Sequence, residues 1–113
     1  MFIEKPWGTI EILLNDLYYK VKRIIVYPNQ RFSLQYHKLR EEHWTIIGGS
    51  GEMVIGDNTM PVETGFYLFV PKETIHRATA GEEGLVFIET QVGVCFEDDI
   101  HRIEDDYGRI NMG

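Results

Sequence analysis

Gly51-Glu52-Met53-Val54-Ile55-Gly56-Asp57-Asn58-Thr59-Met60-Pro61-Val62 reads as strand, tight turn, strand. Glycine, aspartate and asparagine tolerate positive φ, so Gly56-Asp57-Asn58 marks a hairpin with one arm on each side. Outward from this hairpin, aromatic and β-branched residues recur in short runs separated by turn residues. Strands are expected near 7–14, 17–27, 31–37, 42–47, 66–70, 75–79 and 85–91, with Asn15-Asp16 turning the first pair and Gly48-Gly49-Ser50 breaking the later ones. No segment sustains a helical period of apolar residues. So many short strands must close into a barrel or pair as a sandwich to protect their edges, and the fold class is all-β.

The 113 residues fit one compact domain, 1–113, ending in an acidic tail at about 97–113. Apolar residues at 43% and charged residues at 26% give the balance of a folded globular chain. The net charge of −7 has the wrong sign for a surface that grips phosphodiester backbones, so nucleic acid is excluded as a partner. No apolar run approaches the roughly 18 residues of a membrane-spanning helix, and residues 1–8 do not resemble a secretory leader. No membrane association and a cytoplasmic location are expected. Cys95, between Val94 and Phe96, reads as a buried core thiol. Glu97, Asp98, Asp99, Glu104, Asp105 and Asp106 read as a solvated face on a polar turn or short helix, with Ile100, Ile103 and Tyr107 packing it down.

Three stretches depart from plain strand composition: Gln35-Tyr36-His37, Glu42-His43-Trp44 and Pro71-Lys72-Glu73-Thr74-Ile75-His76. A period of two puts Ser33, Gln35 and His37 on one face, and Glu42 with Trp44 on one face of the next strand, with His43 opposite. A lone strand histidine is usually structural. Two histidines and a carboxylate that converge inside a barrel are instead standard donors to a divalent metal.

Gly65, five residues, Pro71, four residues, His76 resembles the second motif of the cupins, and His37, Glu42 and Gly49 match part of the first. The resemblance sharpens to the C-terminal cupin module of type II mannose-6-phosphate isomerases. It is carried by Lys5-Pro6-Trp7-Gly8, 20–23, 33–37, Arg40, 42–44, 97–100 and 104–109, nearly the whole chain. It implies a double-stranded β-helix of the cupin, or jelly-roll, type. It also implies one divalent metal ion, zinc in the first place with manganese, cobalt or iron as other fits, held by His37, Glu42 and His76. The activity it implies is interconversion of mannose 6-phosphate and fructose 6-phosphate, with His43 and Lys22 as candidates for the catalytic base. Gln35, Lys22 and Arg109 would bind the phosphorylated sugar, and the chain would form a homodimer. Leu39 stands where the family has a further ligand histidine and should share the inward face of His37; Glu73 replaces a motif glycine. These departures keep two alternatives open: a catalytically silent sugar- or nucleotide-sugar-binding module, and an iron-dependent oxygenase. Trp7 and Trp44 are read as packing residues.

Overall fold

The computed structural model describes residues 1–109, and among these it is all-β. The strands are β1 (Phe2–Lys5), β2 (Gly8–Asn15), β3 (Tyr19–Val26), β4 (Leu34–Tyr36), β5 (Arg40–Ile55), β6 (Asn58–Glu63), β7 (Tyr67–Val70), β8 (His76–Gly93) and β9 (His101–Glu104). All pairings are antiparallel. No helix among the described residues is long and apolar enough to cross a membrane.

The hairpin read from the sequence is present: Ile55 faces Asn58 across a turn in which Gly56 takes φ 59°. The expected break at Gly48-Gly49-Ser50 is not there. β5 runs through it as one strand of 16 residues, and residues 76–93 likewise form one strand of 18 rather than two. The glycines bend the strand instead of ending it. Register shifts lie between Ile46 and Gly48 and between Gly49 and Gly51, and such bulges kink and twist a ribbon. Gly49 sits at φ 75°, and a Cβ there would lie 2.0 Å from the Gly84 carbonyl oxygen; at Gly51 it would lie 2.1 Å from that of Thr79. Only glycine lets the backbones approach this closely.

This bend carries the long β5–β8 ribbon from one wall of a barrel to the other. One wall runs β1-β2-β3-β8-β5-β7, with residues 85–93 of β8 and 40–49 of β5. The second runs β6-β5-β8-β4-β9, with the other halves of the two long strands. Alternation on each strand sends one face inward. Val26, Trp44, Ile46, Met53, Leu85 and Phe87 are buried between the walls, and Trp44 stacks on Phe87 with ring centroids 4.1 Å apart. Each such side chain contributes about 1.5–3 kcal/mol by leaving water. Trp7 is buried too, its ring 5.5 Å from that of Phe32. Cys95 is buried and unpaired, and burial pushes its thiol pKa up.

The tail differs from its reading as a solvated turn or helix. β9 pairs with β4, and several of the acids have partners. Glu97 accepts from Lys20 and Lys22 at 3.0 and 3.1 Å, Asp106 from Arg31 at 2.7 and 2.9 Å, and Asp105 from Arg109 at 2.8 Å. Spacing alone could not show this, because every cation involved except Arg109 comes from a distant part of the chain. The last part of the expected tail, 110–113, lies outside the described residues.

Glu73 occupies the place of the motif glycine and takes φ 64°, the left-handed region. Its N–H donates to the His37 carbonyl at 2.7 Å, which requires that conformation to stay. A side chain there costs roughly 1–2 kcal/mol. Glu73→Gly is therefore expected to raise stability by up to about 1 kcal/mol, after allowing for the freer unfolded chain, measured as an upward shift of the urea midpoint.

Candidate functional site

His37, Glu42 and His76 meet at the barrel's inner end. One ligand atom from each lies within 4.8 Å of the others, and all three residues are buried. Glu42 points inward from β5 because it alternates with Trp44 and Ile46, and the Pro71–Thr74 turn delivers His76 to the start of β8.

The two imidazoles are oriented from behind. His37 Nδ1–H donates to the Asp99 carbonyl at 2.7 Å and His76 Nδ1–H to that of Thr74 at 3.0 Å, since a carbonyl can only accept. Each Nε2 lone pair therefore faces Glu42: His37 Nε2 is 3.2 Å from Oε2 and His76 Nε2 is 3.5 Å from Oε1. His76 Nε2 is buried and makes no hydrogen bond among the described residues. Lone pairs turned on a carboxylate in a dry interior call for a cation between them, and outward N–H groups anchored on carbonyls are the usual support of metal-binding imidazole. The donor set fits a divalent metal. Burial alone would raise the Glu42 pKa, but the contacts with His37 and His76 outweigh it and hold the carboxyl well below its ordinary range. Trp44 Nε1–H donates to Oε1 at 3.1 Å and Arg40 Nε–H to Oε2 at 3.2 Å.

Leu39 is not on the inward face. It is 44% exposed, because β4 ends at Tyr36 and the chain turns through 37–39, so the alternation that starts at Ser33 does not carry past His37. Asp99 holds this turn: its carboxylate accepts from the Lys38 and Leu39 N–H groups at 3.0 and 2.9 Å. Arg40 points inward instead. Its Nη2 lies 3.3 Å from His37 Nε2 and its Nη1 donates to the Phe96 carbonyl at 3.1 Å.

Glu42, alone of the three, lines a pocket of about 100 Å³. Gln35 and Lys22 line it too, as does Arg109. Gln35 accepts from Ser33 Oγ–H at 2.6 Å. Lys22 is buried and bonded to Glu97. His43 is not part of the pocket. It stands on the outer face of β5, 2.5 Å from the Tyr67 hydroxyl and 2.7 Å from Glu41 Oε2, with its ring against Phe69. As a catalytic base it is on the wrong side of its strand, as the period of two dictates.

Lining groups that the sequence reading did not single out include Lys5, Glu89 and Gln91, and Arg102 lines the pocket as well. The signal was there for two of them, since Leu85, Phe87, Glu89 and Gln91 alternate inward and two polar residues in that series break a hydrophobic rule. Glu89 has its pKa raised to about 8, first by burial and then by the charge of Glu42. Lys5 has its pKa lowered by burial and then by the charges of Arg109 and Arg102; that of Arg102 is lowered by burial and by Arg109. These three cations line one pocket, although Arg109 is also paired with Asp105 at 2.8 Å.

Glu97 falls from 4.5 to about 2. Burial opposes the shift, but the charge of Lys22 and the bonds from both lysines overcome it. A depressed carboxyl stabilises the fold above its unfolded pKa and loses that contribution as pH falls through its folded one. The stability lost in Glu97→Gln, read by urea midpoints, should be constant above about pH 4.5 and shrink towards zero near pH 2.

A model of the family described as mannose-6-phosphate isomerase C-terminal matches residues 2–105. The chain is 37% identical over 109 residues to the alginate biosynthesis protein AlgA of Pseudomonas aeruginosa, and 35% identical over 109 residues to a mannose-1-phosphate guanylyltransferase of Klebsiella pneumoniae. Each alignment covers 95% of this chain and 23% of the relative, so the chain spans about a quarter of the length of these curated relatives. Among solved structures, a Klebsiella pneumoniae protein with a double-stranded β-helix domain superposes with TM-score 0.78 at 17% identity, over 91% of this chain and 90% of that one. The barrel is therefore a double-stranded β-helix. The expected isomerase activity does not stand: these relatives are named for polysaccharide biosynthesis and guanylyl transfer, not isomerisation, and the histidine expected as base faces away from the pocket. With the match spanning 2–105, the chain belongs to the mannose-6-phosphate isomerase C-terminal family, a cupin family.

Proposed function

We propose that this chain is a metal-holding cupin module that binds a phosphorylated sugar, a mannose phosphate in the first instance, in the service of guanylyl transfer. The observation that carries the proposal is that Glu42, one donor of the His37–Glu42–His76 centre, lines the same pocket as the cations Lys5, Arg102 and Arg109. Cations brought together against their own repulsion are relieved by an anion, and guanidinium groups match phosphate oxygens in a bidentate fashion. The name of the Klebsiella pneumoniae relative supplies the sugar: mannose 1-phosphate is the acceptor that such a transferase consumes.

Zinc suits two imidazoles and one carboxylate, and manganese, cobalt and ferrous iron suit them also. Such an ion would supply Lewis acidity to a ligand oxygen. The chain's own residues do the rest. Asp99 and Thr74 carbonyls fix the imidazole tautomers, Trp44 and Arg40 hold the carboxylate, and Gln35 with Lys22 lines the path to the mouth.

Calorimetric titration of zinc-loaded protein with mannose 1-phosphate tests the proposal. Saturable binding that weakens steeply with salt, and by tenfold or more in Arg109→Ala, supports it. No binding of the sugar phosphate, or binding indifferent to both salt and Arg109, would overturn it. The outer edge of β1, which among the described residues pairs only with β2, also suits association of two copies. A homodimer is then the form expected in sedimentation at tens of micromolar, and a monomer would remove that part.

A further inference from the structure

Across β3, β8 and β5 the inward side chains form a polar ladder. Lys20, Gln91 and Glu42 stand in one register row, and Lys22, Glu89 and Trp44 in the next. Gln91 sits at the middle of its row and is 1% exposed. Its Nε2–H donates to Glu89 Oε2 at 2.9 Å, which fixes the amide orientation and turns Oε1 the other way. Oε1 is buried and has no hydrogen-bond partner among the described residues. A buried acceptor without a donor is costly and calls for an explanation.

The neighbouring side chains do not answer it. Lys20 and Lys22 are both committed to Glu97. Arg40 is committed to Glu42, to His37 and to the Phe96 carbonyl. Glu42 beside it in the row accepts at both oxygens, from Trp44 and from Arg40. The donor has to come with whatever enters the pocket. It is not a cationic one, because Lys5, Arg102 and Arg109 already line the pocket. It is a neutral O–H, and a hydroxyl suits the place further because it can accept from one neighbour while donating to another.

We infer that Gln91 forms a hydroxyl-reading subsite, its Oε1 accepting a hydrogen bond from a hydroxyl of a polyhydroxylated phosphate ester. This rests on the sugar-phosphate reading above and adds a basis for selectivity to it. A site built to bind a hydroxyl rejects the analogue that lacks it, because its own buried polar group is then left unpaired.

The test uses zinc-loaded full-length chain titrated in a calorimeter with mannose 1-phosphate, cyclohexyl phosphate and inorganic phosphate. The wild-type chain should bind mannose 1-phosphate at least about tenfold more tightly than cyclohexyl phosphate, which has the ring and the anion but no hydroxyls. Gln91→Met should erase most of that preference while leaving the affinities for cyclohexyl and inorganic phosphate, and the metal content, unchanged. Equal wild-type affinities for the two esters, or a preference that survives Gln91→Met, would overturn the subsite and leave the anion reading intact. Absence of binding by all three phosphates would overturn the anion reading itself, and this inference with it. Should the variant fold poorly, the wild-type comparison of the two esters decides alone.

Discussion

Replacing His76 by alanine is expected to abolish stoichiometric metal binding, taking zinc content from one ion per chain to a small fraction after gel filtration. His76 contributes a fully buried Nε2 that has no hydrogen bond among the described residues, faces the Glu42 carboxylate at 3.5 Å and is held in the right tautomer by the Thr74 carbonyl. Loss of a partner that merely orients a ligand costs roughly 10- to 100-fold in metal affinity, so loss of the ligand itself should cost more. The ring packs against Phe32 and Trp44, and its removal leaves a cavity that should lower stability by about 2–3 kcal/mol. His76→Gln fills more of that space and separates the two effects. His43→Ala is the control: its ring lies outside the barrel against Tyr67 and Phe69, and the zinc content should not change. Full metal content in His76→Ala would remove the centre from its assigned place.

Asp99→Ala is expected to cost both stability and metal affinity, although Asp99 is not a ligand. Its carboxylate holds two backbone N–H groups of the turn that follows His37, and its own carbonyl receives His37 Nδ1–H. Asp99 is 7% exposed, and although burial pushes its pKa up, the bonds from Lys38 and Leu39 prevail and lower it. Hydrogen bonds to a charged acceptor contribute about 1.5–3 kcal/mol each. A loss of about 3 kcal/mol is expected, seen as a lower urea midpoint with an unchanged slope. The loosened turn should also weaken zinc by roughly 10- to 100-fold. Asp99→Asn keeps one acceptor and should fall between. An Asp99→Ala chain as stable and as metal-competent as the wild type would show that the tail does not support the site.

Strand period, turn chemistry and donor types were legible in the sequence because each is local. Alternation put Glu42 inward and His43 outward, the Gly56 turn was visible as a hairpin, and two histidines with a carboxylate announced the cluster that the fold brings together. The tertiary structure decided what depends on residues far apart in the chain. Gly48-Gly49-Ser50 looks like a break, yet the same small residues let β5 press against Gly84 and Thr79 and continue round the barrel. Leu39 looked inward because alternation was carried through a turn that Asp99, sixty residues away, holds in place. The acidic run looked solvated because its cations lie on other strands: Lys20 and Lys22 on β3, and Arg31 just ahead of β4. Sequence periodicity says which way a side chain points on its own strand. Which buried groups it meets, and whether a polar atom such as Gln91 Oε1 is left wanting a donor, follows only once distant strands close around it.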